Sequence, residues 1–385
     1  MHSPIPELIE LTQTLVQADS VTTLPNHQVS AICAEYLEDL GFEVKDVIYK
    51  DLHGVLKTRL EAVRQPTQPS DSAGVGYFCH NDVVPIEGWS CKHSEPFDAR
   101  VAEDKMWGRG TCDMKGSIAT AMKAIERIPR KEQQGPLYFF VTGDEECGMA
   151  GASGIALDSD LFDQMVRAQT PAIIGEPTSL ELVHAHKGVC HLEVESRGVA
   201  AHSSTADGEN ANWTLIPFLA WLGELNERLE TEAKYQNDTF DPKTMTMNVV
   251  LENEPQASNI TVGVAKAHVF LRPMAETPWP ELCEEIALKA KEFQLILRQF
   301  PPLRPLNTSP EQPSVEATLD LLGQRVANAV CYATDGCFLQ ALKQLLVLGP
   351  GSIEQAHRPD EFIELSQLER GVEVFESVFR RLPQL

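Results

Sequence analysis

The sequence lacks several features that would assign it to a specialised class of protein. No run approaches the roughly 18 apolar residues that a membrane-spanning helix requires. Lys and Arg number 32 against 56 Asp and Glu, which gives a formal net charge of -24. Nucleic acids and anionic membranes are bound by clustered basic side chains, so neither is expected as a partner. No internal repeat typical of a solenoid or propeller is present.

Cysteine occurs without a pattern that implies a cross-link or a cysteine-based zinc site. The nine cysteines are an odd number and include no C-x-x-C pair. The stretch MHSPIPEL lacks the basic region and apolar core of a secretory signal. We therefore expect a cytoplasmic protein with reduced thiols.

The length and the hydrophobic pattern predict an α/β protein with two domains. A chain of 385 residues exceeds what one core usually spans. Short apolar runs at 74–79, 136–141 and 171–174 are typical of strands covered on both faces. From about residue 189 apolar and polar residues alternate, as in a half-exposed sheet. We predict a mixed, mostly parallel sheet flanked by helices at 1–180 plus 301–385, and a smaller α+β domain with an antiparallel sheet inserted at 181–300.

The stretch LYFFVTGDEECG, residues 137–148, is an apolar run that ends in Asp144, Glu145 and Glu146. Three carboxylates packed this closely repel one another unless a cation lies among them. Neighbouring side chains diverge by about 100° on a helix and about 180° on a strand. Glu145 and Glu146 can therefore act differently, one as a metal ligand and the other as a proton carrier. In isolation the same stretch also fits an acidic turn at a helix start, with a local capping role left for Asp144.

Other polar residues follow the remaining buried-type strands, at the sheet edge where ligands bind in open α/β folds. Together with a glycine-flanked aspartate, they form a set of five potential metal ligands: His80, Asp113, Glu146, Glu176 and His357. Imidazole and carboxylate without thiolate suit Zn2+, Co2+ or Mn2+ in a hydrolytic site, and two ions sharing one carboxylate would use all five. Asp82 is spaced to hydrogen-bond the non-coordinating nitrogen of His80.

The motifs HNDVVP, WGRGTCDMKG, GDEE, IGEPTS and AAHS resemble, in order and spacing, the di-zinc family of acetylornithine deacetylase, succinyl-diaminopimelate desuccinylase, aminoacylase and glutamate carboxypeptidase. The resemblance spans nearly the whole chain. The C-terminal GPGSIEQAHRPDEF is similar to the acetylornithine deacetylase branch in particular.

This resemblance implies two Zn2+ ions per chain, replaceable by Co2+ or Mn2+, with Asp113 bridging them. His80 and Glu176 would complete one ion site, and Glu146 and His357 the other. Glu145 would be the general base, Asp82 would orient His80, and the Asp113–Met114 peptide bond would be cis.

The resemblance also implies roles for the inserted domain, as a lid and as the contact surface of a homodimer. His202 would help to stabilise the tetrahedral intermediate, often across the dimer interface, while Asn259 and Arg272 would bind substrate. Arg272 is suited to a bidentate grip on an α-carboxylate. Four further histidines match no ligand position of the family and are interpreted as structural or solvent-facing: His184, His186, His191 and His268.

The expected activity is hydrolysis of a small N-acyl amino acid, foremost N2-acetyl-L-ornithine to L-ornithine and acetate in arginine biosynthesis. Within the family, an N-acetylcitrulline deacetylase, a desuccinylase, a broader aminoacylase and a dipeptidase remain open. Ala333 stands where the deacetylases commonly have glycine, so its methyl group is expected to affect the substrate pocket. A non-catalytic metal-binding protein would not need Glu145, and a metal-free paired-carboxylate hydrolase would leave His80 and His357 without a role.

Overall fold

A computed structural model describes residues 5–385, so the first four residues of the predicted catalytic domain lie outside the described part of the chain. The helices are α1 (Ile5–Gln17), α2 (His27–Asp39), α3 (Lys115–Glu126), α4 (Ala150–Asp158), α5 (Asp160–Ala168), α6 (Asn212–Thr231), α7 (Trp279–Glu292), α8 (Pro313–Leu322) and α9 (Leu365–Arg381). The strands are β1 (Glu43–Lys50), β2 (Leu56–Arg64), β3 (Val75–His80), β4 (Arg100–Ala102), β5 (Lys105–Trp107), β6 (Leu137–Thr142), β7 (Ala172–Ile174), β8 (Val183–His186), β9 (Cys190–Arg197), β10 (Thr246–Glu254), β11 (Val264–Arg272), β12 (Ile296–Gln299), β13 (Leu306–Asn307), β14 (Asn328–Val330), β15 (Leu345–Val347) and β16 (Phe362–Glu364).

The chain forms two compact units. Unit one comprises the residues up to Ala185 together with 308–328 and 334–385, and unit two comprises 186–307 and 329–333. In unit one the strand order of the main sheet is β1-β2-β6-β3-β7-β15-β8. The central strands β6, β3, β7 and β15 are parallel, whereas β1, β2 and β8 pair antiparallel. The predicted α/β class with a mostly parallel sheet is confirmed.

Every residue of β3, β6 and β7 is buried. These strands are almost entirely apolar, and helices cover the sheet. Helix α3 packs against both α1 and α9. Tyr77 of β3 contacts Phe139 of β6 and Phe375 of α9, with ring centroids 4.9 and 5.4 Å apart. These buried rings fix the register of the strands whose carboxyl ends carry the polar residues.

Unit two has an antiparallel sheet with strand order β10-β11-β9-β12. Burial alternates along β9 and β11, so one face is apolar and the other is partly exposed. Helix α6 contacts β9, β10 and β11, and its buried stripe runs from Leu215 to Leu229. The predicted antiparallel sheet is present.

Within the described residues, no helix is both long and apolar enough to cross a membrane. All nine cysteines are free thiols.

Candidate metal centre

Asp113 lies between the two predicted histidine ligands. Its Oδ1 is 3.2 Å from Nε2 of His80, and its Oδ2 is 3.6 Å from Nε2 of His357. Each carboxylate oxygen therefore faces a different imidazole, which is the arrangement a carboxylate shared by two cations requires. The Asp113–Met114 peptide bond is cis, as the resemblance implied.

Two glutamates complete a separate group around each histidine. Nε2 of His80 is 3.7 Å from Oε1 of Glu176, and Nε2 of His357 is 3.1 Å from Oε2 of Glu146. In each group the candidate ligand atoms, with Asp113 in both, lie within 4.8 Å of one another. The structure thus brings together all five residues that the sequence suggested as ligands.

His357 has a φ of 62°, a left-handed conformation that is costly for a residue with a Cβ atom. Such strain persists where the surrounding structure holds it, often at functional sites. Here it accompanies a ring nitrogen turned toward Glu146 and Asp113.

Asp82 acts on the site in two ways. Its backbone carbonyl oxygen lies 3.0 Å from Nδ1 of His80, closer than its carboxylate Oδ1 at 3.4 Å. Its carboxylate oxygens accept hydrogen bonds from the backbone N–H groups of Glu145 and Glu146, at 3.1 and 3.2 Å. Asp82 therefore couples the orientation of the His80 ring to the position of the acidic turn after β6.

The electrostatics of the group favour a cation. Burial, followed by the repulsion of Asp113, raises the pKa of the Glu146 carboxyl group. Burial likewise holds the pKa of Glu176 well above its usual range, and Asp113 adds to the rise. Burial opposes protonation of His80, but the surrounding carboxylates, Glu176 first, hold its pKa well above the ordinary value. Carboxylates crowded in this way repel one another until positive charge is placed among them.

Glu145 is available as a proton carrier. It lies beside Glu146 on a short helical turn, 145–147, and joins His80 in a further group of potential ligands. Burial, and then the charges of Glu176 and Glu146, hold its pKa well above the usual range for a carboxyl group. A carboxyl group with a raised pKa is suited to take up and release a proton near neutral pH.

The sequence did not reveal the role of Glu361, a fully buried residue four positions after His357. Its Oε1 accepts hydrogen bonds from the N–H groups of Cys112 and Asp113, at 2.9 and 3.1 Å. Its Oε2 accepts one from Gly110 at 3.0 Å and pairs with Arg109 at 2.7 Å. Glu361 thus fixes the loop that presents Asp113.

Asp335 is a second buried carboxylate that the sequence did not assign to the site. Thr142, the last residue of β6, donates its hydroxyl to Oδ2 of Asp335 at 2.7 Å. Burial raises the pKa of Asp335 to about 7. The only indication in the sequence was that Asp335 lies two residues after Ala333, whose methyl group is expected to affect the substrate pocket.

The residues present fit a pair of divalent transition-metal ions. The groups formed by residues 5–385 combine two imidazoles with carboxylates and contain no thiolate, a donor set typical of hydrolytic zinc, cobalt or manganese sites. Carboxylate oxygens alone would favour Mg2+ or Ca2+, and the histidines argue against those ions.

Comparisons with known proteins agree with this site and this fold. Residues 77–381 match the model of peptidase family M20/M25/M40. The chain belongs to this family. Acetylornithine deacetylase from Proteus mirabilis is 33% identical over 96% of this chain and 95% of its own length. Acetylornithine deacetylase from Aliivibrio fischeri is 31% identical over 96% of this chain and 97% of its own. The resemblance found in the motifs is confirmed.

Solved structures of M20 proteins share the fold. A metallo-carboxypeptidase of Sulfolobus solfataricus aligns with a TM-score of 0.73 at 17% identity, over 100% of both chains. The Bacillus subtilis YXEP protein, described as a dinuclear metal-binding peptidase, aligns with a TM-score of 0.68 at 14% identity, over 98% of this chain and 97% of its own. The M20 chain described here is therefore a metal-dependent hydrolase that acts on amide bonds.

The three predicted substrate-site residues of this M20 hydrolase belong to unit two. His202 forms a bridge with Ile260, and its Nδ1 lies 2.7 Å from the hydroxyl of Ser204. The carbonyl oxygen of Asn259 accepts a hydrogen bond from the backbone N–H of Ser203 at 3.0 Å, which places Asn259 next to the His202 loop. Arg272 is the exposed last residue of β11. His202 and Asn259 are thus close together. Arg272 lies at the opposite end of β11 from Val264, the residue that pairs with Arg197 of the strand leading to the His202 loop.

Two of the histidines interpreted as structural are buried, and Nδ1 of each lies near a backbone carbonyl oxygen, while buried Nε2 of His186 has no hydrogen-bond partner among the described residues. Nδ1 of His184 lies 2.8 Å from the carbonyl oxygen of Thr308, and Nδ1 of His186 lies 2.9 Å from that of Lys187. His191 and His268 lie together on the sheet of unit two.

Proposed function

We propose that this enzyme hydrolyses N2-acetyl-L-ornithine to L-ornithine and acetate, as a step in arginine biosynthesis. The observation that carries the proposal is the similarity to acetylornithine deacetylases over 96% of the chain. The cluster formed by the carboxylates, buried His80 and exposed His357 supplies the residues that amide hydrolysis needs.

Five side chains would hold two Zn2+ ions, for which Co2+ or Mn2+ could substitute. His80 and Glu176 would bind one ion, Glu146 and His357 would bind the other, and Asp113 would bind both. Bound zinc lowers the pKa of water and polarises a carbonyl oxygen. Asp82 would keep the His80 ring in the orientation and tautomer that leave Nε2 free for the metal.

Glu145 would carry the proton through the reaction. Its carboxylate takes a proton from the attacking water as the oxygen adds to the acyl carbon, and it returns that proton to the leaving nitrogen as the C–N bond breaks. The raised pKa caused by burial and by Glu176 makes both transfers feasible near neutral pH. Glu145 and Glu146 have different roles because their side chains diverge on the turn.

In the substrate complex, His202 would donate a hydrogen bond to the developing oxyanion, and Asn259 and Arg272 would bind the amino-acid part. The proposal includes a homodimer formed through the inserted domain, residues 181–300, with His202 acting in the same chain or in the partner's site. The proposal also includes a cytoplasmic location, which is in keeping with the free thiols of all nine cysteines.

A substrate panel tests the proposal. The zinc-loaded enzyme is incubated separately with N2-acetylornithine, N-acetylcitrulline, N-acetylmethionine, N-succinyl-diaminopimelate and a dipeptide, and the released amine is measured. The highest kcat/KM is expected for acetylornithine. A preference for another amide keeps the reaction type and replaces the substrate, whereas no hydrolysis of any amide contradicts the proposal.

A further inference from the structure

The acidic turn after β6, residues 143–148, is held at its start by the hairpin of β1 and β2. Tyr49, near the end of β1, donates its hydroxyl hydrogen to Oδ1 of Asp144 at 2.5 Å. The same hydroxyl oxygen accepts a hydrogen bond from the backbone N–H of Gly143 at 3.3 Å. One side chain therefore contacts both residues of the turn that precede Glu145.

The Tyr49 hydroxyl group has little room to move. A Cβ atom at Gly151, in the first turn of α4, would lie 2.6 Å from the hydroxyl oxygen. Glycine allows this close approach, and a larger residue there would displace the hydroxyl group. Burial, followed by the charge of Asp144, raises the pKa of Tyr49. The hydroxyl group therefore keeps the proton that it donates to Asp144.

The loop that joins β1 to β2 adds a second contact with the turn. Oδ1 of buried Asp51 accepts hydrogen bonds from the backbone N–H groups of His53 and Val55, at 2.8 and 2.9 Å, which gives the loop a fixed shape. Leu52 of this loop packs against Gly148, where an added Cβ atom would lie 2.3 Å from Cδ1 of the leucine. The hairpin thus contacts the turn at its end as well as at its start.

Asp82 supplies the other support of the turn. Its carboxylate oxygens accept hydrogen bonds from the backbone N–H groups of Glu145 and Glu146, at 3.1 and 3.2 Å. Asp82 holds the backbone of the two glutamates, and Tyr49 holds Asp144 directly before them. A displacement of about 1 Å in a catalytic group can lower the rate about 100-fold. Both supports are therefore needed to keep the two carboxylates in place.

A purely structural role for Tyr49 is the competing explanation. Its partner Asp144 also accepts hydrogen bonds from the N–H groups of Ala150 and Gly151 at the start of α4, so the contact stabilises the fold whatever the chemistry. A structural role predicts a lower free energy of unfolding and nothing else. A positioning role also predicts a changed metal environment and slower turnover, because the turn carries a proposed metal ligand and the proposed base.

We propose that Tyr49 is a positioning residue for amide hydrolysis: through Asp144, its hydroxyl group fixes the turn that presents Glu145 to the attacking water and Glu146 to the metal. This inference rests on the proposed roles of the two glutamates. Residues that orient metal ligands through hydrogen bonds typically contribute about 10- to 100-fold to metal affinity or activity.

Tyr49→Phe tests the proposal, because it removes only the hydroxyl group. The variant is loaded with Co2+, and the visible absorption spectrum of the bound ion is compared with that of the wild type. The kcat and KM are measured on whichever amide the wild type hydrolyses fastest. We expect kcat to fall about 10- to 100-fold with KM unchanged, and the cobalt spectrum to change. Asp144→Asn alters the same hydrogen bond from the other partner and is expected to have the same effects.

Tyr36→Phe is the matched control. The Tyr36 hydroxyl group also donates to a carboxylate, Oε2 of Glu126 at 3.2 Å, but this contact joins α2 to α3. The control is expected to match the wild type in kcat and in the cobalt spectrum.

Urea unfolding of the same variants separates positioning from a purely structural role. A Tyr49→Phe variant that is less stable than the wild type but equals it in kcat and in the cobalt spectrum would overturn the proposal. If Tyr49→Phe fails to fold, Asp144→Asn decides by the same two measurements. A wild type that hydrolyses no amide would contradict the proposed function, and the cobalt spectrum would then still test the role of Tyr49.

Discussion

Both histidines of the predicted metal centre face Asp113. The three residues come from three different parts of the chain. His80 ends strand β3, Asp113 lies in the loop before α3, and His357 lies in the loop before β16. The sequence predicted this meeting because polar residues after parallel strands share one sheet edge. At the scale of single residues, the question is which side chain binds the metal and which one carries the proton.

Glu145→Gln separates these two roles. The substitution keeps the size of the side chain and removes its ability to accept a proton, so kcat is expected to fall by about 100- to 10,000-fold while zinc content is unchanged. Glu146→Gln is expected to lose zinc as well. Turnover and bound metal are measured on the same samples, with Glu43→Gln, an exposed residue of β1, as the control. Substantial turnover by Glu145→Gln would rule out its role as the base.

Glu361→Gln tests the support of the Asp113 loop. The change leaves the buried Arg109 guanidinium without its ion-pair partner and weakens the acceptor for the loop's N–H groups. Breaking a buried ion pair by changing one partner costs about 3 to 5 kcal/mol of unfolding free energy. Urea unfolding measures this loss, with exposed Glu364→Gln as the matched control. A Glu361→Gln variant as stable as the control would contradict the assigned support.

Glu361 and Asp335 show what the sequence could not reveal at this scale. Glu361 lies in the quoted motif HRPDEF, yet its partners Arg109, Gly110 and Cys112 are about 250 positions away. Sequence spacing carries no signal for such a contact until the loop is folded. Four of the five predicted ligands could be found because they come at or after the end of a buried-type strand, and Asp113 because glycines flank it. Glu361 carries neither signal.

At the scale of elements, the hydrophobic pattern predicted the buried strands and the half-exposed sheet well. The predicted strand 136–141 is β6 (Leu137–Thr142), and the alternation from about residue 189 corresponds to β9 (Cys190–Arg197). The three-stranded sheet β16-β5-β4 was missed, because strands of three residues are too short to show a period. The directions of β1 and β2 were also not predictable: β1 pairs antiparallel with β2, and β2 pairs antiparallel with β6 of the parallel core. Strand direction depends on how strands are connected rather than on their composition.

Asp144 connects the acidic turn to helix α4. Its carboxylate oxygens accept hydrogen bonds from the N–H groups of Ala150 and Gly151, at 2.7 and 2.9 Å, and the Tyr49 hydroxyl donates to it at 2.5 Å. The local capping role expected from the sequence is confirmed.

Asp144→Asn is expected to loosen the start of α4, because one acceptor oxygen is replaced by a donor amide. Loss of a capping group costs about 0.5 to 2 kcal/mol. Hydrogen exchange at Ala150 and Gly151 should accelerate relative to the wild type, whereas Asp46→Asn on the exposed strand β1 should leave it unchanged. Unchanged exchange in Asp144→Asn would show that the cap is dispensable.

At the scale of the whole molecule, the predicted activity depends on a buried acidic cluster within a chain of net charge -24. Folding unit one around such charge makes its stability sensitive to pH. The predicted metal centre is a poor probe of this effect because its groups interact strongly. His186, a fully buried residue of β8, is a better one.

Burial lowers the pKa of His186 to about 4. The unfolded chain takes up a proton at this histidine below its ordinary pKa of about 6.5, whereas the folded chain does not. Protonation of His186 therefore does not affect the free energy of unfolding above about pH 6.5. As the pH falls from 6.5 toward 4, it lowers the free energy of unfolding by up to about 3 kcal/mol. Urea unfolding between these values should show a shallower pH slope for His186→Gln than for the wild type or for His53→Gln. Equal slopes would contradict the assignment.

Metal removal and restoration, followed on acetylornithine, test the central claim most directly. The enzyme is stripped with a chelator, dialysed, and reloaded with Zn2+ while bound zinc and released ornithine are measured together. We predict that ornithine release is lost on stripping and returns as about two ions bind to His80, Asp113, Glu146, Glu176 and His357. The variant His80→Asn, treated in parallel, should regain neither full zinc content nor activity. Ornithine release that survives complete metal removal would contradict the account.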